Sequence, residues 1–205
     1  MPSANPPVHG LVPWDWCKKK DGSLRFCIDL PKLNSHTIKD AYSLPQIEES
    51  LDCLNGAKIF TSLDLKAGYW QVLMAEDSIP YTDFTVEPLG FYECVRMPFG
   101  LTNAPATFQR LMESCLGELH LQYCIIYLDD IIVFSKTPDE HIKWLRSVFE
   151  KLDQAGLHLK PSKCEFFKKR VEYLGHIVSE NGIETNPKKI EAIVQWPQTL
   201  SYSNA

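Results

Sequence analysis

At 205 residues, 44% hydrophobic and 23% charged, the chain is long enough to bury a core and too ordinary in composition to be fibrous or disordered. A net charge of −5 argues mildly against a nucleic-acid partner, because phosphate contacts need lysine and arginine, although Lys18-Lys19-Lys20, Lys168-Lys169-Arg170 and Lys188-Lys189 could form short positive tracks or simply solvated faces. Seven cysteines without a C-x-x-C pair or zinc spacing read as reduced thiols, and with neither a leader pattern nor an apolar run of about eighteen residues, an intracellular, cytoplasmic chain is expected rather than a secreted or membrane-spanning one.

Residues 1–17 are proline-rich and read as an irregular lead-in. Regular structure is expected from Lys18, where Asp21-Gly22 separates two short segments and Leu24, Phe26 and Ile28 alternate with Arg25, Cys27 and Asp29, the pattern of a hairpin. A short helix is expected from Ser43 to Leu54, with Ser43 as cap, Gln46 completing a capping box and Pro45 near its start. KIFTSLD, residues 58–64, and YWQVL, residues 69–73, carry the β-branched and aromatic residues of strands around a tight break at Lys66-Ala67-Gly68. A helix from Asn103 to Leu116 would present Phe108, Leu111, Met112 and Cys115 on one face.

Two strongly β-prone runs, Tyr123 to Leu128 and Ile131 to Phe134, are separated only by Asp129-Asp130, predicting a hairpin tipped by two adjacent acids. The helix signal is clearest from Pro138 to Ala155: Thr137, Pro138 and Glu140 supply cap, first position and capping box, Ile142, Leu145, Val148, Phe149 and Leu152 supply the apolar stripe, and Gly156 ends it. The basic segment Lys160 to Arg170 then leads into a second hairpin pivoting near Gly175.

The chemistry concentrates on the acids. Adjacent aspartates repel and raise one another's pKa, which bound divalent cations relieve. Mg²⁺ takes carboxylate and phosphate oxygens, and two such ions about 3.5–4 Å apart can clamp the attacking and leaving oxygens of an in-line displacement. Asp64, at the end of KIFTSLD, could complete such a site if its strand lies beside the hairpin. Asp64 alone is equally well a solvated strand end. Spacing by itself does not separate a polymerase palm from a nucleotide cyclase or another two-metal phosphoryl-transfer site.

The ordered segments KKKDGSLRFCID from Lys18, Leu33-Asn34, SLDLKAGYWQ from Ser62, MPFGLTNAPATFQ from Met97, YLDDI from Tyr127 and YLGH from Tyr173 resemble the motifs of reverse transcriptases from Ty3/gypsy-type long-terminal-repeat retrotransposons. The resemblance spans residues 18–197, leaving 198–205 as a short tail. It implies an α+β class, a right-hand polymerase with fingers and palm, the antiparallel palm sheet backed by helices, and the thumb and ribonuclease H regions belonging to a longer polyprotein. It implies an RNA-directed and DNA-directed DNA polymerase that acts on an RNA or DNA template with a primer and on deoxynucleoside triphosphates. The product would be particle-associated in an active element. The alternative is a truncated, inactive remnant that at most binds nucleic acid. A template-independent cyclase-like enzyme is disfavoured by the Lys18 to Arg25 hairpin and by FGLTNAPATFQ.

Residue by residue, the resemblance assigns two Mg²⁺ ions, with Mn²⁺ able to substitute, to Asp64, Asp129, Asp130 and the carbonyl of Leu65. It assigns triphosphate and nucleotide contacts to Lys19, Lys20, Arg25, Tyr69, Phe99, Gly100 and Gln109, with Tyr69 excluding a 2′-hydroxyl. Tyr173, Leu174 and Gly175 match the grip on the primer end. Pro31 and Asp83 stand where the family usually has arginine and a small residue.

Overall fold

The computed structural model describes residues 14–18, 22 and 24–187. Its centre is a four-stranded antiparallel sheet in the order β6, β7, β3, β8, built from β3 (Ile59–Asp64), β6 (Cys124–Tyr127), β7 (Asp130–Ser135) and β8 (Glu165–Lys168). Successive side chains on a strand point to opposite faces. On one face Leu63, Ile126, Ile131 and Val133 pack beneath the helices α3 (Ala104–Leu116) and α4 (Pro138–Gln154), against Phe108, Met112, Leu116, Leu145, Val148 and Leu152. On the other, Phe60, Ile125, Ile132 and Phe134 pack against Leu51 and Leu54 near α2 (Ile47–Asp52) and against Val171, Tyr173 and Val178. Burial on both faces explains why the β6 and β7 sequences are nearly continuous apolar runs rather than alternating ones.

Three smaller antiparallel sheets surround this core. β1 (Trp14–Lys18) pairs with β2 (Leu24–Ile28), β4 (Phe84–Val86) with β5 (Gly90–Tyr92), and β10 (His176–Ser179) lies between β9 (Arg170–Tyr173) and β11 (Gly182–Thr185). The short helix α1 (Pro31–His36) places Pro31 in its first turn, where a missing N–H is harmless. The segment after it is tied to α3: Asp40 pairs with Arg110 at 2.7 Å, Arg110 lies 4.6 Å over the Tyr42 ring, and the Tyr42 hydroxyl donates to Glu113. The Asn103 side chain accepts from Asp40 N and donates to Ile38 O, so it anchors this segment instead of capping α3.

The α+β class, the fingers hairpin, both long helices and the β6–β7 hairpin follow the sequence expectation, and α4 carries the expected capping box between Thr137 and Glu140. Several details differ. β1 starts at Trp14, inside the stretch read as irregular. The helix expected from Ser43 begins at Ile47, with Gln46 as cap residue and no side-chain capping bond. YWQVL is not a strand: Ala67 enters the left-handed region at φ 52°, Gly68–Gln71 form a 3₁₀ turn, and only an isolated Leu73–Arg96 bridge pairs the segment. Gln71 holds that turn by donating to the Lys66 and His158 carbonyls while accepting from His158 N.

On α4, Ile142 and Phe149 are exposed, and the buried place in the stripe goes to His141. Thr61 Oγ1 accepts from Phe167 N at 3.2 Å and lies 2.7 Å from His141 Nε2; Ser135 Oγ donates to Thr137 O at 3.1 Å and lies 2.9 Å from His141 Nδ1. With those two bonds fixed, Thr61 donates to Nε2 and Ser135 accepts from Nδ1–H, so a neutral imidazole satisfies every partner. A buried polar chain thereby joins α4 to β3, β7 and β8.

Candidate active site

The hairpin turn is one residue earlier than the acids suggested. Tyr127 pairs with Asp130, so Leu128 and Asp129 form the turn and Asp130 opens β7. Leu128 carries φ 55°, a conformation that disfavours a branched non-glycine residue and persists only where the surroundings hold it. Gln109, fully buried on α3, does the holding: its Oε1 accepts from Leu128 N at 2.7 Å, and its Nε2 donates to Glu113 Oε1 at 2.7 Å and to Ile126 O at 3.3 Å. The Glu113 carboxylate that orients this amide also accepts from Tyr42, so a chain of hydrogen bonds runs from the segment before α2 to the turn.

Register brings the acids together. Asp64, last in β3, lies directly opposite Asp130, and Asp129 is the adjoining turn residue. The Asp130 carboxyl is pushed up to about 6, first by burial and then by the charges of Asp129 and Asp64, while Lys163 works in the opposite direction. Asp64 Oδ2 accepts from Lys163 Nζ at 2.9 Å and the Asp64 carbonyl from Lys160 N at 2.8 Å. Leu65 forms a bridge with Leu159 in which Lys66 N donates to His158 O, leaving the Leu65 carbonyl directed away from residues 158–160 and toward the β7 side.

Beside Asp129, the Tyr69 ring packs 5.0 Å from Phe99 and edge-on to Phe108 at 5.3 Å; burial and Asp129 both raise its hydroxyl pKa. Phe99 therefore sits on the same side as Tyr69. Gly100 has φ 103°, and a Cβ there would stand 2.3 Å from the Ile28 carbonyl oxygen, while its own carbonyl accepts from Asn34 Nδ2 at 2.7 Å. Its requirement is backbone approach between β2 and α3.

Comparison with known proteins decides the family. A profile described as "Reverse transcriptase (RNA-dependent DNA polymerase)" matches residues 17–178. The chain is 47% identical over 188 residues to the retrovirus-related Pol polyprotein from transposon 297 of Drosophila melanogaster, covering 90% of this chain and 18% of that protein. It is 42% identical over 174 residues to the corresponding polyprotein from transposon gypsy of the same organism, covering 85% and 17%. It superposes with a TM-score of 0.84 on a foamy viral protease-reverse transcriptase solved in complex with double-stranded DNA, at 25% identity, covering 92% of this chain and 33% of that one.

The chain belongs to the reverse transcriptase family.

Its likeness to gypsy-type transposon polyproteins agrees with a Ty3/gypsy-type retrotransposon origin, and the chain spans less than a fifth of the length of these relatives. Within the reverse transcriptase fold, Asp64, Leu65, Asp129, Asp130, Tyr69, Phe99 and Gln109 gather around the β6–β7 turn. Gln109 faces the turn from within the core, so its contacts are to protein. Tyr173 is 2% exposed, packed on the sheet face of Phe60 and Phe134, with a hydroxyl that finds no hydrogen-bond partner among the described residues and a pKa raised by burial and by Asp130. Leu174 and Gly175 form the β9–β10 turn, both at positive φ as in a type I′ turn. Lys19 and Lys20 lie outside the described residues, and Arg25 is placed only by its pairing with Cys17 in the β1–β2 hairpin.

Lys163 went unnoticed in the sequence. It meets Asp64 across 99 residues of chain, and in sequence it is one lysine of a basic stretch. No helix among the described residues is long and apolar enough to cross a membrane.

Proposed function

We propose that this domain is the catalytic fingers and palm portion of an RNA- and DNA-directed DNA polymerase, joining deoxynucleoside triphosphates to a primer 3′-hydroxyl. The observation that carries it is the register pairing of Asp64 with Asp130, beside Asp129 in a turn held by Gln109, within a reverse transcriptase fold. The profile's own description, an RNA-dependent DNA polymerase, and the duplex DNA held by the foamy viral relative support a nucleic-acid template and primer.

The donors suit Mg²⁺, with Mn²⁺ as substitute: three carboxylates and the Leu65 carbonyl are hard oxygen ligands, and a cationic ammonium is already drawn to one of them. Among the described residues no three acidic, histidine or cysteine side chains stand close enough together to hold a metal ion by themselves. Mg²⁺ ordinarily binds through one or two carboxylates and completes its shell with water and substrate phosphates. Two bound ions would polarise the α-phosphate and lower the pKa of the primer hydroxyl.

The chain's own residues do the placing. Asp64 and Asp129 would be the main ligands, Asp130 completes the acidic cluster, and Gln109 fixes the turn that aims Asp129. Tyr69, braced by Phe99 and Phe108, would form the floor beneath the deoxyribose and leave no room for a 2′-hydroxyl. Lys19, Lys20 and Arg25 on the fingers hairpin would neutralise triphosphate charge. The turn at Leu174 and Gly175 would support the primer end, with Tyr173 packing behind it.

Primer extension tests this: oligo(dT) on a poly(rA) template with Mg²⁺ or Mn²⁺. Extension by the wild type that disappears in Asp129→Asn supports the assignment; extension by Asp129→Asn at the wild-type rate overturns it.

A further inference from the structure

Resting on the reading of Tyr69 as the floor beneath the sugar, we propose that Gln71 is the positioning residue that sets deoxyribose selection, because its side chain ties the 3₁₀ turn carrying Tyr69 to the segment after α4. The Gln71 amide is fully engaged: Nε2 donates to Lys66 O at 2.9 Å and to His158 O at 3.0 Å, and Oε1 accepts from His158 N at 2.7 Å. Reversing it would aim its oxygen at two carbonyls and its NH₂ at the His158 N–H, so one orientation alone satisfies all three partners. The main chain is held as well, with Arg96 Nη1 donating to the Gln71 carbonyl at 2.8 Å.

The turn depends on this tie. It opens at Ala67, whose φ of 52° a non-glycine residue keeps only where its surroundings enforce it, and it is closed by Trp70 N donating to Ala67 O at 2.9 Å and Val72 N to Tyr69 O at 3.1 Å. Its position matters because it runs against the acids: a Cβ added at Gly68 would stand 2.9 Å from the Phe108 ring and 3.4 Å from Asp129 Cβ. Phe99 and Phe108 brace the Tyr69 ring, and Gln71 fixes the backbone that carries it. Gln71 is half-buried and outside the apolar core, so losing its side-chain bonds frees the turn, and with it the distance of the ring from Asp129, while the packing of α3 on β6 and β7 stays in place.

Two measurements on the full chain test this, with Gln71→Met keeping the length of the side chain and removing its hydrogen bonds. Amide hydrogen exchange at Trp70 and Val72 is expected to accelerate by about two- to tenfold in Gln71→Met, the equilibrium factor of one lost neutral hydrogen bond, with exchange at Ile125 and Ile132 unchanged. In primer extension, the ratio of kcat/KM for dTTP to that for UTP is expected to fall by a similar factor in Gln71→Met, and to be no lower in the Gln71→Met, Tyr69→Val double variant than in Tyr69→Val alone. A merely structural loss would slow both nucleotides together and leave the ratio where it was. Unchanged exchange at Trp70 and Val72, or an unchanged ratio in Gln71→Met beside a collapsed one in Tyr69→Val, overturns the role of Gln71 and leaves the Tyr69 floor standing. An unchanged ratio in Tyr69→Val, or no extension by the folded wild type, overturns that floor and the role of Gln71 with it.

Discussion

Gln109 Oε1 accepts the Leu128 amide at 2.7 Å, so a fully buried side chain on α3 holds the backbone turn that carries Asp129. The Gln109→Leu substitution keeps the approximate volume and removes the hydrogen bonds, stranding the Leu128 N–H and the Ile126 carbonyl. Stability is expected to fall by about 1–3 kcal/mol in urea unfolding. Extension should fall by on the order of a hundredfold as the turn drifts, with kcat rather than the nucleotide KM taking the loss. A Gln109→Leu enzyme with full kcat would show that the Gln109–Leu128 bond does not position Asp129 for catalysis.

Acid should act on two groups with opposite signs. Burial holds the His141 imidazole below its ordinary 6.5, so the unfolded chain takes the proton first and this contribution to stability, complete above about 6.5, is lost as pH falls from there toward the folded value. Asp130 is raised from 3.8 to about 6, so the folded chain takes its proton first, and ionisation destabilises as pH rises through that window. Unfolding free energies measured from pH 4 to 8 are expected to show a steeper acid loss in Asp130→Asn than in the wild type, because the opposing carboxyl is gone. At pH 7.5 the same variant should be as stable as wild type or gain up to about 1 kcal/mol, a small value because Asp130 keeps solvent access.

Replacing Tyr69 with valine empties the space between Phe99 and Asp129. Ribonucleotides are then expected to compete in extension assays, measured as the ratio of kcat/KM for dTTP and UTP. An unchanged ratio would place sugar discrimination elsewhere.

At Gly100 an alanine would bring its Cβ against the Ile28 carbonyl in a backbone conformation that L-residues avoid. Gly100→Ala is expected to lower stability by roughly 2 kcal/mol or more and to loosen the packing of β2 against the segment before α3. Thermal denaturation checks the first effect, and amide exchange at Phe26 to Leu30 the second.

The sequence revealed most where local pattern and burial agree. The β6 and β7 runs were readable because both faces of their sheet are covered, and α4 because Thr137 and Glu140 form a capping box. Long-range contacts were hidden. Ala67 takes a left-handed conformation that turns YWQVL into a 3₁₀ turn, and the bonds that hold it come from Gln71 and His158, 87 residues apart. Asp130 was read as part of the turn, but the left-handed Leu128 shifts the turn by one residue and gives Asp130 to the strand. β4, β5, β8 and β11 are only three or four residues long, too short for alternation to mark them. Among the acids, the resemblance named all three, yet only the register of β3 with β7 shows Asp64 facing Asp130, and nothing in the sequence pairs Lys163 with Asp64.

Iron-directed cleavage tests most directly whether these acids share a metal. Fe²⁺ replaces Mg²⁺ at oxygen-ligand sites, and hydroxyl radicals made there with ascorbate and peroxide cut the nearest backbone. Paired cleavage near residues 63–65 and 128–130, suppressed by excess Mg²⁺ and lost in the Asp64→Asn, Asp129→Asn double variant, is the predicted result. Cleavage at only one of the two segments, or a pattern indifferent to the double substitution, would contradict a shared metal site.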